Sequence, residues 1–323
     1  MRSISFAIAA AIMAFGQQAA AQAEDAVQQL IRQDMRLAAI AEPLLQANSQ
    51  FCRLRMPLTG MVLHSRDQYR SSIADGAFSN GTIAVAGVVP GSPADAAGIR
   101  SGDGVVSIGA ARAVDMVPRD GAPLRDTALA ILANAADDDG LSLSLARDGR
   151  EVSVTLNPPE GCRALVEIRA SDSLAARSDG RVIQIDYALA EVASEQELAV
   201  VFAHELAHLV LEHRRRLEAA GVEKGFFGEF GKNQRLNRQV EVEADRMSVH
   251  LLANAGYDPA IAPAFWRSSL GRRAGGGVLR SSTYPSPEAR AQLLEREIAE
   301  YLGGGTGPTH PGHLLSRREA PFD

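Results

Sequence analysis

The sequence has few of the features that mark several large classes of protein. It contains two cysteines and one tryptophan among 323 residues. No stretch beyond the N-terminal region approaches the roughly 18 consecutive apolar residues of a membrane-spanning helix. The net charge is -6, and the sequence contains no basic stripe with interleaved aromatics. We therefore expect no nucleic-acid partner. With 46% hydrophobic and 22% charged residues, the chain is expected to form about two folded domains.

The N-terminus is typical of a signal peptide. Arg2 precedes an apolar run from Ile4 to Phe15, and Ala21-Gln22-Ala23 has the small-residue pattern of a cleavage site. The run has only about 12 residues, which is short for a membrane span, although an uncleaved anchor is the alternative. We therefore expect residues 1–23 to direct export, to the periplasm or otherwise out of the cell. The mature chain is expected to have no transmembrane segment.

The two cysteines, Cys52 and Cys162, suit an exported protein, because an even count in an oxidising compartment favours a disulfide. The bridge would close a loop of about 110 residues. Two buried free thiols are the alternative. The cysteines flank residues 55–158, which suggests that this segment is an insertion whose base the bridge holds together.

The sequence patterns along the chain predict an α+β protein. Residues 24–54 form an amphipathic helix, with Pro43 as a possible break. Residues 55–158 are β-rich, with a helix over 124–136 and a hairpin that turns at Asp148-Gly149. Residues 159–302 combine a small sheet with a majority of helix.

The last part of the chain, residues 303–323, is rich in glycine and proline. This composition predicts a flexible tail. Its histidines, His310 and His313, are expected to lie in solvent rather than to bind metal.

One short motif points to metal chemistry. His204-Glu205-Leu206-Ala207-His208 lies in a predicted helix from Leu198 to His213, and its spacing puts both imidazoles on one face. Neutral imidazoles of His204 and His208 can ligate zinc, and a water molecule can take an open position. Glu205 is then placed to accept the proton of that water.

A second motif, Glu241-Val242-Glu243-Ala244-Asp245, supplies carboxylates. We expect Glu241 to be the third ligand of one zinc ion per chain and Asp245 to accept the N–H of a ligating histidine. Glu243 is expected to be a surface or salt-bridge residue, and exchange of Glu241 and Glu243 is the alternative. On a continuous helix, His213 rotates off the metal-facing side, so we assign it a structural role.

The segment from Val88 to Asp103, which contains Gly91-Ser92-Pro93-Ala94, resembles the PDZ domains of bacterial envelope proteases. The resemblance implies an inserted PDZ domain over residues 55–158 that binds an extended peptide ligand. Its carboxylate loop would fall at Leu58-Thr59-Gly60-Met61. Asp103-Gly104 departs from the usual Asp-apolar pair, and a purely spacing role is the alternative.

The zinc motifs resemble the HtpX/BepA/CAAX prenyl endopeptidase family of gluzincins. The matching segments are Asp179 to His213, Glu241 to Arg246 and Ala255-Gly256-Tyr257-Asp258-Pro259. The resemblance implies a mainly helical metallopeptidase domain, supports Glu241 as ligand and Glu205 as base, and implies proteolysis of misfolded envelope proteins. It also implies that substrate pairs with an edge strand over Val182 to Tyr187.

The chain departs from this family at one place. Many relatives have Thr-His-Pro before a final helix, whereas this chain has Thr283-Tyr284-Pro285. Tyr284 is therefore either a gate or oxyanion donor at the metal, or a turn tyrosine that packs on the next helix.

Two functions follow as hypotheses. The first is a zinc endopeptidase of the cell envelope that acts on protein or peptide substrates in quality control. The second is a PDZ-based peptide-binding or chaperone-like protein with a latent or inactive peptidase domain.

Overall fold

The computed structural model describes residues 3–69, 76–119, 121–135, 140–222, 231–274, 285–303, 307–320 and 322, without the side chains of 3–21, 23 and 231–233. The chain divides into two compact units: residues 1–36 with 59–158, and residues 37–58 with 159–323. Both contain helix and strand, which gives the α+β class predicted from the sequence.

The first helix, α1, runs over Ser3–Ala47. It passes through the expected cleavage site after residue 23 and through Pro43, which does not end it. None of the helices within the described residues combines the length and apolar character that a bilayer crossing needs.

Residues 59–158 form an antiparallel sheet, and two short helices among the described residues contribute to its core. The strands are β2 (Met61–Ser65), β3 (Ile83–Val88), β4 (Gly104–Ile108), β5 (Ala111–Arg112), β6 (Leu141–Arg147) and β7 (Arg150–Leu156), in the order β2-β3-β4-β6-β7, with β5 paired to β4. The helices are α2 (Pro93–Ala96) and α3 (Leu124–Leu132). Their apolar faces enclose one core, which includes Leu63, Val85, Ile108 and Leu145.

Short-range sequence signals shape the turns and helix ends of this unit. The β6–β7 hairpin turns at Asp148 and Gly149, which have φ values of 50° and 73° and so provide the left-handed residues of a tight turn. Ser92 caps α2 by accepting a hydrogen bond from the Asp95 amide. Helix α3 ends at Leu132, four residues before the predicted end at 136.

The second unit contains two small sheets. Strands β1 (Arg55–Pro57) and β8 (Glu160–Cys162) form an antiparallel pair. Strands β9 (Leu165–Arg169), β10 (Ala176–Ser178) and β11 (Val182–Asp186) lie in the order β10-β11-β9, with β11 parallel to β9 and antiparallel to β10. The buried side chains of Ile168, Ile183 and Ile185 anchor this three-stranded sheet.

The described residues of the rest of the second unit are mainly helical. The helices are α4 (Tyr187–Val192), α5 (Glu195–Val210), α6 (His213–Ala219), α7 (Gly231–Asn254), α8 (Ile261–Arg267), α9 (Ser269–Ala274), α10 (Pro287–Glu297) and α11 (Gly312–Leu315). A π-helical turn over Ile298–Leu302 follows α10. Helix α5 packs against α7, and both carry the residues of the candidate site.

Cys52 and Cys162 form a disulfide across a sequence separation of 110 residues, so the predicted pairing is confirmed. Both cysteines are buried, and Cys162 ends the strand that pairs with β1. The bridge therefore joins the two chain segments that lead into and out of residues 59–158.

We expect the double substitution Cys52→Ser with Cys162→Ser to lower the free energy of unfolding by about 4–5 kcal/mol, because the unfolded chain regains the entropy of a loop of about 110 residues. Denaturant unfolding of the second unit, followed by circular dichroism, measures this change. Wild-type protein unfolded in reductant is the control and should match the double variant. An unfolding midpoint that neither reduction nor substitution moves would contradict the prediction.

The C-terminal segment differs from the flexible tail that its composition predicts. Residues 312–318 form α11 and a short 3-10 turn. The Thr309 amide donates to Asn254 Oδ1 at 2.7 Å. The prediction that both tail histidines lie in solvent is wrong for His313, whose Nε2 lies 2.7 Å from a carboxylate oxygen of Glu297. Glycine and proline content reports a lack of regular structure but not the tertiary contacts that a segment makes.

Candidate metal centre

Local sequence places the first motif on a well-formed helix. Ser194 caps α5 in a capping box, in which its hydroxyl accepts from the Glu197 amide and the Glu197 carboxylate accepts from the Ser194 amide. Ten residues on, His204 and His208 are separated by four positions, so their side chains lie on the same face. Glu241 and Asp245 have the same spacing on α7.

The packing of α5 on α7 brings three donor atoms together. Nε2 of His204 lies 3.2 Å from Nε2 of His208 and 3.3 Å from Oε2 of Glu241. Nε2 of His208 lies 3.5 Å from Oε1 of Glu241. The three side chains expected to bind zinc thus converge on one point.

These separations fit a zinc ion. Ligand atoms at about 2.0–2.1 Å from a tetrahedral zinc ion are separated from one another by about 3.3–3.4 Å. The observed edges of 3.2, 3.3 and 3.5 Å match this triangle. Two imidazole nitrogens and one carboxylate oxygen are also the donor types of catalytic zinc sites, which keep a fourth position open.

The electrostatics of the site favour a positive charge between the side chains. Burial lowers the pKa of His204, but hydrogen bonds with Asp245 and Glu241 outweigh it and raise the pKa to about 10. Burial lowers the pKa of His208 to about 3, so this imidazole is neutral, as a metal ligand must be. Burial raises the pKa of Glu241, but hydrogen bonding with His204 outweighs it, and the net shift is downward. Glu241 therefore offers a carboxylate to a cation.

Asp245 lies behind His204, as the sequence predicted from its spacing. Its Oδ1 is 3.1 Å from Nδ1 of His204, the ring nitrogen that points away from the candidate metal position. A carboxylate there holds the proton on Nδ1 and leaves the lone pair on Nε2. Asp245 is 1% exposed, so its charge needs a partner inside the protein.

That partner is Arg290, which the sequence analysis missed. Its guanidinium donates to both carboxylate oxygens of Asp245 at 2.6 Å each and lies 3.9 Å from Oε2 of Glu241. The guanidinium carbon lies 3.4 Å from the ring centroid of Trp266. Arg290 is on α10, 45 residues after Asp245, and no spacing rule links the two positions.

His213 lies off the metal-facing side and has a structural role, as predicted, but the continuous helix from which this was inferred is wrong. The expected helix to residue 213 ends at Val210, and Glu212 has φ 53°, so the chain changes direction before α6 begins. As a result, Nδ1 of His213 lies 2.9 Å from Nδ1 of His208, and its Nε2 lies 3.2 Å from Glu243 Oε2.

This contact sets the proton positions on His208. Burial lowers the pKa of His213, so the ring is neutral and carries one N–H. When Nε2–H donates to the Glu243 carboxylate, Nδ1 accepts from the Nδ1–H of His208. The lone pair of His208 is then on Nε2, which faces the candidate metal position.

Glu243 is buried and does not point toward the metal position. It is 5% exposed and forms an ion pair with Arg216 at 2.5 Å, besides its contact with His213. Of the two predicted roles, the salt bridge is confirmed and the surface position is wrong. Hydrogen bonding with His213 and Arg216 outweighs burial and lowers the pKa of Glu243 to about 2.

The candidate ligands open onto a cavity of about 260 Å³. Glu205 lines it, beside His204 and His208, together with Trp266 on another wall. Strand β10 forms a further part of the wall. The prediction that Val182 to Tyr187 is the edge strand is wrong, because β11 has β10 on one side and β9 on the other.

Tyr284, the predicted gate or oxyanion donor, lies outside the residues that the structure describes. Its role stays a prediction.

We expect Arg290→Lys to weaken zinc binding and peptide turnover by about 10–100-fold, because lysine cannot hold both oxygens of Asp245 or stack on Trp266. Zinc affinity is measured by competition with a chromogenic chelator, and turnover as kcat/KM. The control is Arg296→Lys, an exposed residue of the same helix, which should behave as wild type. Wild-type zinc affinity in Arg290→Lys would show that Arg290 does not position Asp245.

Comparison with known proteins agrees with this geometry. Residues 164–232, which include His204 and His208, match the family model of Peptidase family M48. Over 137 residues the chain is 31% identical to Mitochondrial metalloendopeptidase OMA1 of Arabidopsis thaliana, covering 36% of this chain and 27% of that protein. Over 141 residues it is 27% identical to Mitochondrial metalloendopeptidase OMA1 of Schizosaccharomyces pombe, covering 38% of this chain and 42% of that protein.

The chain thus spans less than half the length of either relative that it matches. The matches show that part of the second unit is similar to M48 peptidases and to metalloendopeptidases. Glu241, Asp245 and Arg290 lie beyond the residues that match the family model, so their assignment rests on the geometry described above.

Proposed function

We propose that this protein is a zinc-dependent endopeptidase. The observation that carries the proposal is the convergence of His204, His208 and Glu241 at separations of 3.2–3.5 Å, beside a cavity that Glu205 also lines. The M48 match of the segment that contains both histidines supports the same activity.

Each residue of the site has a separate role in the proposed hydrolysis. His204, His208 and Glu241 would hold zinc, which supplies Lewis acidity to the water molecule and the substrate carbonyl. Glu205 accepts a proton from the attacking water and delivers it to the leaving amine. Asp245 and His213 hold the protons of the two imidazoles on the Nδ1 atoms, so both Nε2 atoms stay available.

Substrate would approach along β10. This strand lines the cavity and, within the described residues, pairs on one side only, with β11. An extended peptide can add to such an edge through main-chain hydrogen bonds, which fit many sequences. This mode suits a peptidase that acts on unfolded segments.

We further propose that the enzyme belongs to the HtpX/BepA branch, acts in the cell envelope and removes misfolded proteins there. The signal-like residues 1–23, the disulfide between Cys52 and Cys162 and the resemblance of both zinc motifs support this placement.

Unit 1 supports a second function, binding of a peptide. Among the described residues, β2 is an edge strand with β3 on one side. Helix α3 lies next to it, because the amides of Leu124 and Arg125 donate to Asp67 and Ser65 at the end of β2. An edge strand beside a helix is the arrangement in which PDZ domains bind extended peptides. Such binding would bring substrate to the peptidase. If the second unit is inactive, peptide binding would itself be the function of the protein.

The test is cleavage of an unfolded protein such as casein by purified protein. We expect cleavage that zinc chelation abolishes and that added zinc restores. Fluorescence anisotropy with labelled C-terminal peptides measures binding to unit 1 in the same preparation. Peptide binding without cleavage in zinc-loaded protein would instead favour the peptide-binding function.

A further inference from the structure

A second group of metal-ligating side chains lies outside the site described above. His250 on α7, Glu297 at the end of α10 and His313 on α11 place one ligand atom each within 4.8 Å of one another. His250 and Glu297 are almost completely buried. His250 comes nine residues after Glu241, which corresponds to about 13 Å along the helix axis. The two clusters are therefore separate.

The ligand atoms converge on one carboxylate oxygen. Oε1 of Glu297 lies 2.7 Å from Nε2 of His313 and 3.1 Å from Nε2 of His250. The other oxygen, Oε2, accepts a hydrogen bond from Nε of Arg246 at 2.6 Å. Arg246 thus fixes the orientation of the carboxylate so that Oε1 faces both imidazoles.

The two rings are also held in place by neighbours. Nδ1 of His250 lies 3.0 Å from Oγ1 of Thr309, so the ring presents Nε2 to Glu297. The ring of His313 stacks on Tyr301, with centroids 3.8 Å apart and an interplanar angle of 11°. In a metal-binding histidine, the ring nitrogen that does not bind the metal commonly forms a hydrogen bond of the kind seen between His250 and Thr309.

The composition of this cluster repeats that of the first centre. Each has two imidazoles, one carboxylate and an arginine near the carboxylate oxygen, with Arg290 at 3.9 Å from Glu241 and Arg246 at 2.6 Å from Glu297. Hydrogen bonds alone can also satisfy a His–Glu–His group. The distances of 2.7 and 3.1 Å would then widen by a few tenths of an ångström around an ion.

We propose that His250, Glu297 and His313 bind a second divalent transition-metal ion of the zinc class. Two imidazole nitrogens and one carboxylate oxygen suit zinc, cobalt or nickel better than the oxygen-seeking calcium or magnesium. The side chain of His313 is 25% exposed, so water can complete the coordination.

This ion has a structural role. His313 belongs to residues 307–320, whereas His250 and Glu297 belong to helices of the unit's core. Hydrogen bonds between Thr309 and Asn254 join the same two parts. The metal therefore fastens the C-terminal segment to α7 and α10.

The test is the zinc content of the full-length protein, measured by plasma mass spectrometry after equilibration with zinc and gel filtration. We expect two zinc ions per chain in wild type and one in His313→Ala. The matched control is His310→Ala, because this tail histidine packs edge-on against Phe51 outside the cluster and should leave two ions. His208→Ala should lose the ion of the first centre and keep the second.

The proposal is overturned if wild type binds one ion, or if His313→Ala still binds two. The two centres are removed by different variants. If His208→Ala lost zinc and His313→Ala kept the wild-type content, the second site would be overturned and the peptidase proposal would stand. Glu297→Gln, which keeps the size of the side chain but lacks the carboxylate charge, provides a second test if His313→Ala does not fold.

Limited proteolysis gives a readout that is independent of metal counting. Zinc added to metal-free wild-type protein should slow cleavage within residues 307–320 at least several-fold. In Glu297→Gln the same addition should have no effect on that cleavage rate. Equal protection of both proteins would contradict a metal ion at this cluster.

Discussion

Replacement of Glu205 by glutamine is expected to lower kcat for peptide hydrolysis by about 10²–10⁴-fold, the contribution typical of a general base. Glutamine keeps the size of the side chain but cannot accept the proton of the attacking water. Because Glu205 is not one of the three converging donors, the zinc content should equal that of wild type. Hydrolysis of a fluorogenic peptide, together with metal analysis, measures both quantities.

The control for this experiment is Glu195→Gln, an exposed residue in the first turn of the same helix. It should retain wild-type kcat. If wild type and Glu205→Gln bind zinc but share the same negligible turnover, the endopeptidase proposal fails and peptide binding becomes the better account. The Glu205→Gln protein is also suited to trap substrates, since its binding cavity is otherwise unchanged.

Replacement of Glu241 by glutamine is expected to remove zinc from the first centre and to reduce hydrolysis to background. The amide oxygen is a weaker ligand than a carboxylate, and the negative charge that balances the cation is lost. Partial burial amplifies this loss, because the Glu241 side chain is 16% exposed and little solvent can replace its charge. Zinc affinity by chelator competition and kcat/KM measure the effect.

Glu243→Gln is the matched control, two residues away on the same helix. It should keep zinc, because the Glu243 carboxylate contacts His213 and Arg216 rather than the converging donors. It should instead lower the free energy of unfolding by roughly 3–5 kcal/mol, since Arg216 remains as a buried, unpaired charge. If the two variants exchanged these effects, Glu243 and not Glu241 would be the third ligand.

Much of the local structure could be predicted from the sequence. The capping box at Ser194, the hairpin turn at Asp148-Gly149 and the helix start at Pro93 depend on residues close together in the chain. The spacing of four residues between His204 and His208 likewise fixes their common face once the helix exists. The disulfide could be predicted because the chain has two cysteines and thus a single possible pairing.

The predictions that failed depend on chain breaks and contacts that local patterns do not reveal. The helix expected to reach His213 ends three residues earlier, at Val210, before a left-handed Glu212 that periodicity does not reveal. The edge strand was assigned to β11 because alternation shows which residues face a core but not the order of strands. His313 was expected in solvent because the composition of the tail does not reveal its contact with Glu297.

The sequence by itself determined the donor types, the pairs of residues that share a helix face, and the secondary structure that carries them. Tertiary structure decided that α7 packs on α5 so that Glu241 meets both histidines, and that Arg290 and His213 fix the protons around them. The physical reason is range. Backbone hydrogen bonding and side-chain periodicity act over a few residues, whereas the contacts of Arg290 with Asp245 and His204 link positions 45 and 86 residues apart and depend on how whole helices pack.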